Sequence, residues 1–204
     1  MRTEASIYVI THAPEPFFFL TAADHLAMGA TAGAVGALTG GLGGFLVGKH
    51  AESRGRRNGQ ELARATSLQD PAFKVTDGFV SAVVSQFDLT NLVLLQEAFT
   101  DDDPRAMGEK LGATTVLDFK THDWRLMPVG ANSRYRVIYR VRARFFRTKD
   151  GEILWQGYCR YDGGDSQATL DELTANSGIL LRVKMDEAAD SCTATLLVQL
   201  LGQD

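Results

Sequence analysis

Hydrophobic side chains fall at every second position from Tyr135 to Phe145 and at helical spacing from Ala72 to Phe87 and from Leu181 to Leu196. Tyr135, Val137, Tyr139, Val141, Ala143 and Phe145 alternate with polar residues, which predicts a half-buried strand over 133–147. Ala113 to about Pro128 predicts the strand before it. Glu152 to Asp162 predicts the strand after it, with Ile153, Trp155, Gly157, Cys159 and Tyr161 on one side. Between the last two, Lys149-Asp150-Gly151-Glu152 reads as a hairpin turn in which Asp-Gly supplies the positive φ angles. Three such strands in succession make an antiparallel meander.

The helical patterns carry their own boundary signals. Asp70-Pro71 precedes Ala72, Val75, Phe79, Val80, Val83, Val84 and Phe87, with Asp at the N-cap and Pro at the first helical position. Pro104 to Leu111 forms a short helix that follows Asp101, Asp102 and Asp103 and stops at Gly112. A long amphipathic helix spans about Leu170 to Leu201, with a break near Asn176–Gly178. Its stripe of Leu181, Met185, Ala188, Cys192 and Leu196 can cover the sheet. Ser6–Thr11 adds a short strand, Pro14 and Pro16 force an extended connection, and Asn91–Gln96 reads as a buried strand. The expected class is α+β, an antiparallel β-meander covered by helices.

One stretch fits none of these patterns. Leu26 to Gly48 has no charge, and eight of its 23 residues are Gly and five are Ala. Gly36, Gly40, Gly44 and Gly48 stand four apart, and Gly29 and Gly33 continue the small-residue spacing on a neighbouring ridge. In water each helical Gly costs about 0.5–1 kcal/mol relative to Ala, so an isolated helix of this composition should melt. Against a like helix, or in a bilayer, the same residues let backbones approach closely. As a helix, the stretch would reach about 34 Å, enough to cross a membrane's apolar core. A flexible linker would carry more polar residues, and a buried glycine-rich loop is the other dull alternative. The reading is a glycine zipper in contact with membrane or with other copies. The expected division is 1–23, an amino-terminal strand and extended segment; 24–52, the zipper; 53–69, a basic linker; and 70–204, an α+β domain.

Composition narrows the possibilities further. The chain has 204 residues, 45% hydrophobic and 23% charged, which suits one folded domain with an appendage. A net charge of −4 gives no general attraction to nucleic acid. Glu4, His12, Pro14, Glu15 and Pro16 interrupt any signal-peptide core, so an export signal, if one exists, is expected upstream of Met1. Lys49, Arg54, Arg56, Arg57 and Arg64 follow the zipper, whereas Arg2 alone precedes it. For an inner-membrane span, that asymmetry would leave the carboxy-terminal domain in the cytoplasm. The rule does not govern outer-membrane proteins or a stretch that folds back as a hairpin.

Candidate chemistry is sparse. Gly43 to Lys49 imitates a phosphate-binding loop, but His50 replaces the required Ser or Thr and no strand precedes it. Arg134, Arg136, Arg140, Arg142 and Arg144 line the even face of the second meander strand and could hold an anionic ligand. The plainer reading is a solvated sheet face whose charges are paired by neighbours. His12, His25, His50 and His122 show no metal-ligand spacing, and there is no Gly-x-Ser-x-Gly elbow. Cys159 and Cys192 both point to the presumed core, either as a bridge between sheet and helix or as two free thiols. No cofactor, no metal and no enzymatic activity are expected.

Ala113-Thr-Thr-Val-Leu-Asp-Phe119, Trp124, Tyr135-Arg-Val137, the hairpin Asp150-Gly-Glu-Ile-Leu-Trp-Gln-Gly157 and the late Cys192 resemble bacterial envelope lipoproteins. The resemblance is to those related to the periplasmic domain of the curli secretion channel and the TolB amino-terminal domain. It covers roughly Asp70 to Leu201, and its motifs are structural. It implies an exported, non-enzymatic role in assembly, docking or secretion, on the periplasmic side and associated with the outer membrane. A Cys159–Cys192 bridge then becomes the better expectation. The sequence departs from that family in having no lipobox cysteine near its start. The implied partners are membrane lipid and either further copies or envelope-complex proteins, with no nucleic acid. The rival reading is a soluble module that binds an anion on the arginine strand.

Overall fold

The computed structural model describes residues 6–25, 42–95, 98–130, 133–164 and 166–202, with the backbone alone over 42–50. The strands are β1 (Ile7–Thr11), β2 (Phe18–Phe19), β3 (Leu92–Leu94), β4 (Thr115–Val129), β5 (Arg134–Arg147), β6 (Ile153–Tyr161) and β7 (Ala168–Thr169). The helices are α1 (Leu42–Ala65), α2 (Ala72–Phe87), α3 (Pro104–Leu111) and α4 (Leu170–Leu201). The sheet runs β3-β1-β4-β5-β6, with β2 beside β4 and β7 beside β5.

The meander is present: β4, β5 and β6 pair antiparallel in sequence order. However, the sheet is mixed. β1 runs parallel to both β3 and β4, and β2 also runs parallel to β4. The class is therefore α+β with a seven-stranded, mostly antiparallel sheet among the described residues. Asn91–Gln96 is corrected in the same way. Among the described residues, Leu92–Leu94 alone forms a strand there, at the sheet edge, with Val93 37% and Leu94 47% exposed. An unbroken apolar run imitates a doubly buried strand, but among the described residues β3 has a neighbour on one side only.

The odd-numbered residues of β5 face the main core, where Val137, Tyr139, Val141 and Ala143 meet Phe79 of α2 and Leu181, Ala188 and Leu196 of α4. A smaller cluster of Ile10, Phe99, Met107, Val116 and Phe146 lies apart from it. Two bulges adjust which face each strand presents. β4 skips His122, and β6 skips Leu154, so Ile153 pairs with Phe146 and leaves the Trp155 face. In the hairpin only Gly151 takes a positive φ, +75°, whereas Asp150 accepts the Glu152 amide at 3.1 Å. The expectation of two positive φ angles was one residue too generous.

Helix ends fall close to the sequence signals. α2 begins at Ala72 with Pro71 rather than Asp70 at the N-cap, and Asp70 accepts the Ala72 amide at 2.9 Å from one residue earlier, whereas Asp103 accepts the Arg105 and Ala106 amides at the start of α3. A capping box between Thr169 and Glu172 opens α4. Its helical geometry breaks over Ala175–Gly178, and Arg182 ties the break to α1 by donating to the Thr66 and Ser177 carbonyls. Near its other end, Gln199 reaches the outer edge of β6. There it accepts the Tyr158 amide at 3.0 Å and donates to the Tyr158 carbonyl at 2.9 Å.

Residues 53–65, expected as part of a basic linker, continue α1 as helix. The segment that imitates a phosphate loop lies on the same helix. Gly29, Gly33, Gly36 and Gly40 lie outside the described residues, and Gly44 and Gly48 sit in the first turns of α1. Among the described residues, no helix is long and apolar enough to cross a membrane.

The glycines that bring α1 against the sheet are Gly55 and Gly59, one turn apart. A Cβ on Gly59 would lie 1.8 Å from the Phe17 carbonyl oxygen, and one on Gly55 would lie 2.3 Å from the Phe18 ring. At Gly59 the neighbour is backbone, which cannot yield at such a distance. Gly59→Leu should therefore lift α1 off β2 at a cost of about 1–3 kcal/mol. Limited proteolysis would show faster cleavage near residues 50–66, and an unchanged pattern would refute the tight docking.

Candidate functional site

Three features stand out above the structural background: a buried charge cluster, a cleft beside α1, and a covalent staple. The cluster grows from the even face of β5. In sheet register Asp118 of β4 stands opposite Arg144, and Ile10 of β1 lies beside Asp118. Arg144 Nε donates to both Asp118 oxygens at 3.1 Å. His12, just past β1, is 2% exposed, and its Nε2 donates to Asp118 Oδ2 at 2.9 Å; Asp118 itself is fully buried. Asp102, from the acidic triplet, accepts Arg142 at 2.7 Å, Arg144 at 2.6 Å and Lys120 at 2.9 Å.

Burial alone would raise the Asp118 carboxyl, but hydrogen bonds from His12 and Arg144 and the Arg144 charge hold it below the ordinary carboxylate range. The same opposition acts on Asp102, where Arg142, Lys120 and Arg144 overcome burial and hold the group far down. His12, Asp102 and Asp118 could bring three ligand atoms within 4.8 Å of one another. The guanidinium groups of Arg142 and Arg144 already occupy those oxygens, so the donor set suits cations of the chain itself better than a metal. A histidine beside an aspartate suggests general-base chemistry, but among the described residues His12 and Asp118 are shielded from solvent and already paired.

This geometry divides the arginine strand. Arg142 and Arg144 are buried and paired rather than solvated. Arg136 pairs with Asp162 at 3.3 Å, Arg140 approaches Asp123 at 3.9 Å, and Arg134 donates to the Gln167 carbonyl. An anionic ligand would have to use this outer trio.

Sequence reasoning missed His12, Asp118 and Asp102 as a group. The available signal was Asp118 standing alone inside Val116-Leu117-Asp118-Phe119, since a lone acid in a buried strand demands a cation.

The cleft lies between α1, the loop after it and the Pro14–Phe17 segment, an open hollow of about 650 Å³. Phe17, Phe73 and Trp124 supply aromatic walls, with Gln60, Arg64 and Asp70 among the polar lining. Asp70 is 5% exposed. One of its oxygens accepts the Ala72 amide and the Thr121 hydroxyl at 2.6 Å, and the other is buried with no hydrogen-bond partner. Burial pushes its carboxyl up to about 6, despite those two hydrogen bonds.

Cys159 of β6 and Cys192 of α4 form a disulfide, with Cα atoms 5.3 Å apart. It joins the edge strand to the helix that covers the sheet, inside the main core.

No family model matches the chain, and no curated relative matches it. Among solved structures it is similar to the PelC dodecamer from Paraburkholderia phytofirmans, at 10% identity over 95% of this chain and 86% of that one, TM-score 0.36. It is similar to lipoprotein GNA1162 from Neisseria meningitidis at 11% identity over 91% and 99%, TM-score 0.34. It is also similar to the hypothetical protein CT253 from Chlamydia trachomatis at 9% identity over 97% and 96%, TM-score 0.39. At these identities and TM-scores the likenesses decide neither activity nor assembly.

Proposed function

We propose that the chain is a non-enzymatic module of a bacterial envelope that works in docking or assembly on the oxidising side of the inner membrane. The carrying observation is the Cys159–Cys192 disulfide in the main core. Bridges of this kind form and persist in exported proteins and are rare where thiol reductants dominate. On this reading the segment 24–52 contacts membrane lipid or further copies through Gly29, Gly33, Gly36, Gly40, Gly44 and Gly48. The α+β domain is then the part that meets partners, and outer-membrane association follows from the lipoprotein resemblance.

Thiol trapping combined with fractionation tests both halves. In intact cells Cys159 and Cys192 should resist alkylation until a reductant is added, and the chain should sediment with membranes. Gly40→Leu with Gly44→Leu should release it, or abolish its crosslinking, while the disulfide stays protected. Freely alkylated thiols would overturn the compartment. Unchanged membrane association and crosslinking in the double variant would overturn the zipper.

A further inference from the structure

Asp70, in the wall of the cleft beside α1, carries a buried acceptor without a donor. Asp70 turns one oxygen to the Ala72 amide and the Thr121 hydroxyl, and leaves the other buried and unpartnered. A buried carboxylate of this kind needs a cation or a donor to offset its lost hydration. Arg64 lines the same cleft but makes no hydrogen bond to Asp70, and the cations of the adjoining hollow are engaged elsewhere. Lys74 pairs with Asp186 and Asp190, and Arg182 donates to two carbonyls at 2.6 Å.

The walls add a second preference. Trp124 and Phe17 line the same cleft, and Phe73, 39% exposed, stands with Asp70 in the wall shared with a second hollow. Aromatic surfaces beside a carboxylate favour a cation with an apolar body. The volume falls within the range of small-molecule sites. We propose that this cleft binds an organic cation, an ammonium or guanidinium group on an apolar stem, which donates to the free oxygen of Asp70. Reaching that oxygen requires displacing lining side chains, of which Gln69 and Phe73 are exposed.

The groups facing Asp70 set the pH behaviour. From β4 comes the Thr121 hydroxyl. From β5 comes Tyr139, whose own ionisation is pushed up by burial and by the Asp70 charge. Arg64 of α1 and Glu15 line the cleft, and Lys74, Arg182 and Asp186 line the adjoining hollow. Because the Asp70 carboxyl titrates at about 6, cation affinity should rise as the group ionises. The rise between about pH 5 and about pH 7 should be about tenfold, the change in its ionised fraction.

The test uses the full chain and the Trp124 indole N–H signal, which reports on the cleft because it donates to the Glu15 carbonyl. n-Pentylammonium should shift that signal, and 1-pentanol should not. A short peptide with one lysine, compared with its norleucine counterpart, separates a side-chain source from a free amine. Asp70→Asn keeps an oxygen for Ala72 and Thr121, so the helix start survives. It should lose at least about tenfold in affinity, together with the pH dependence. Should that variant fail to fold, the wild-type pH profile reads the same group. Arg64→Gln should bind as well as the wild type or better. Equal binding of pentanol, a flat wild-type profile, or acetate shifting Trp124 through Arg64 would overturn the assignment, as would undiminished binding to Asp70→Asn.

Discussion

Replacing Asp118 with Ala is expected to remove about 3–5 kcal/mol of folding stability, the usual cost of leaving a buried charge without its partner. Arg144 would lose the Nε contacts to both carboxylate oxygens, and His12 would lose its partner in a fully buried position. Asp102 softens the loss only in part. It still accepts Arg144, but it stands at the edge of the cluster with its side chain 41% exposed. Asp102→Ala should therefore cost clearly less. Urea unfolding gives the comparison directly, and a loss below about 1 kcal/mol for Asp118→Ala would place the cluster among ordinary surface pairs.

The same groups set an acid limit. Both carboxyls are held below their ordinary value, so their contribution is complete above about pH 4 and fades as pH falls through the folded-state values. The Asp118 variant should show a flatter decline on that limb.

Opening the Cys159–Cys192 bridge is the other large effect. The two residues are 33 positions apart, and a closed loop of that size lowers unfolded-chain entropy by about 3–4 kcal/mol at room temperature. Wild-type protein unfolded with and without reductant isolates this contribution without new side chains in the core. Reduction should shift the urea midpoint downward by the corresponding amount. Coincident transitions would show that α4 holds the sheet without covalent help.

What the chain disclosed in advance was whatever repeats along it. The two-residue period of β5 located the core face, the spacing in α2 and α4 located the covering helices, and Asp103 and Gly112 marked the ends of α3. Pairings between distant segments carry no such period. The parallel placement of β1 between β3 and β4 depends on partners more than eighty residues away in sequence, and nothing local specifies it. The candidate site divides along the same line. The arginines were visible as a stripe, but their counter-charges come from Asp118 on the adjacent strand and Asp102 in a loop, while His12 lies 106 positions from Asp118. Asp102 was hidden by its neighbour, because a triplet of acids before a helix reads as capping and only Asp103 caps. Gly55 and Gly59 repeat the four-residue spacing of the zipper, yet the arginines between them disguised the pattern.

The amide of Gln199 takes the place that the backbone of an eighth strand would otherwise claim along Tyr158. A further strand could not pair with Tyr158 until the last turns of α4 let go. Of the two borders of the sheet, the one at β6 is thus guarded by the chain's own last helix, and β3 is the other.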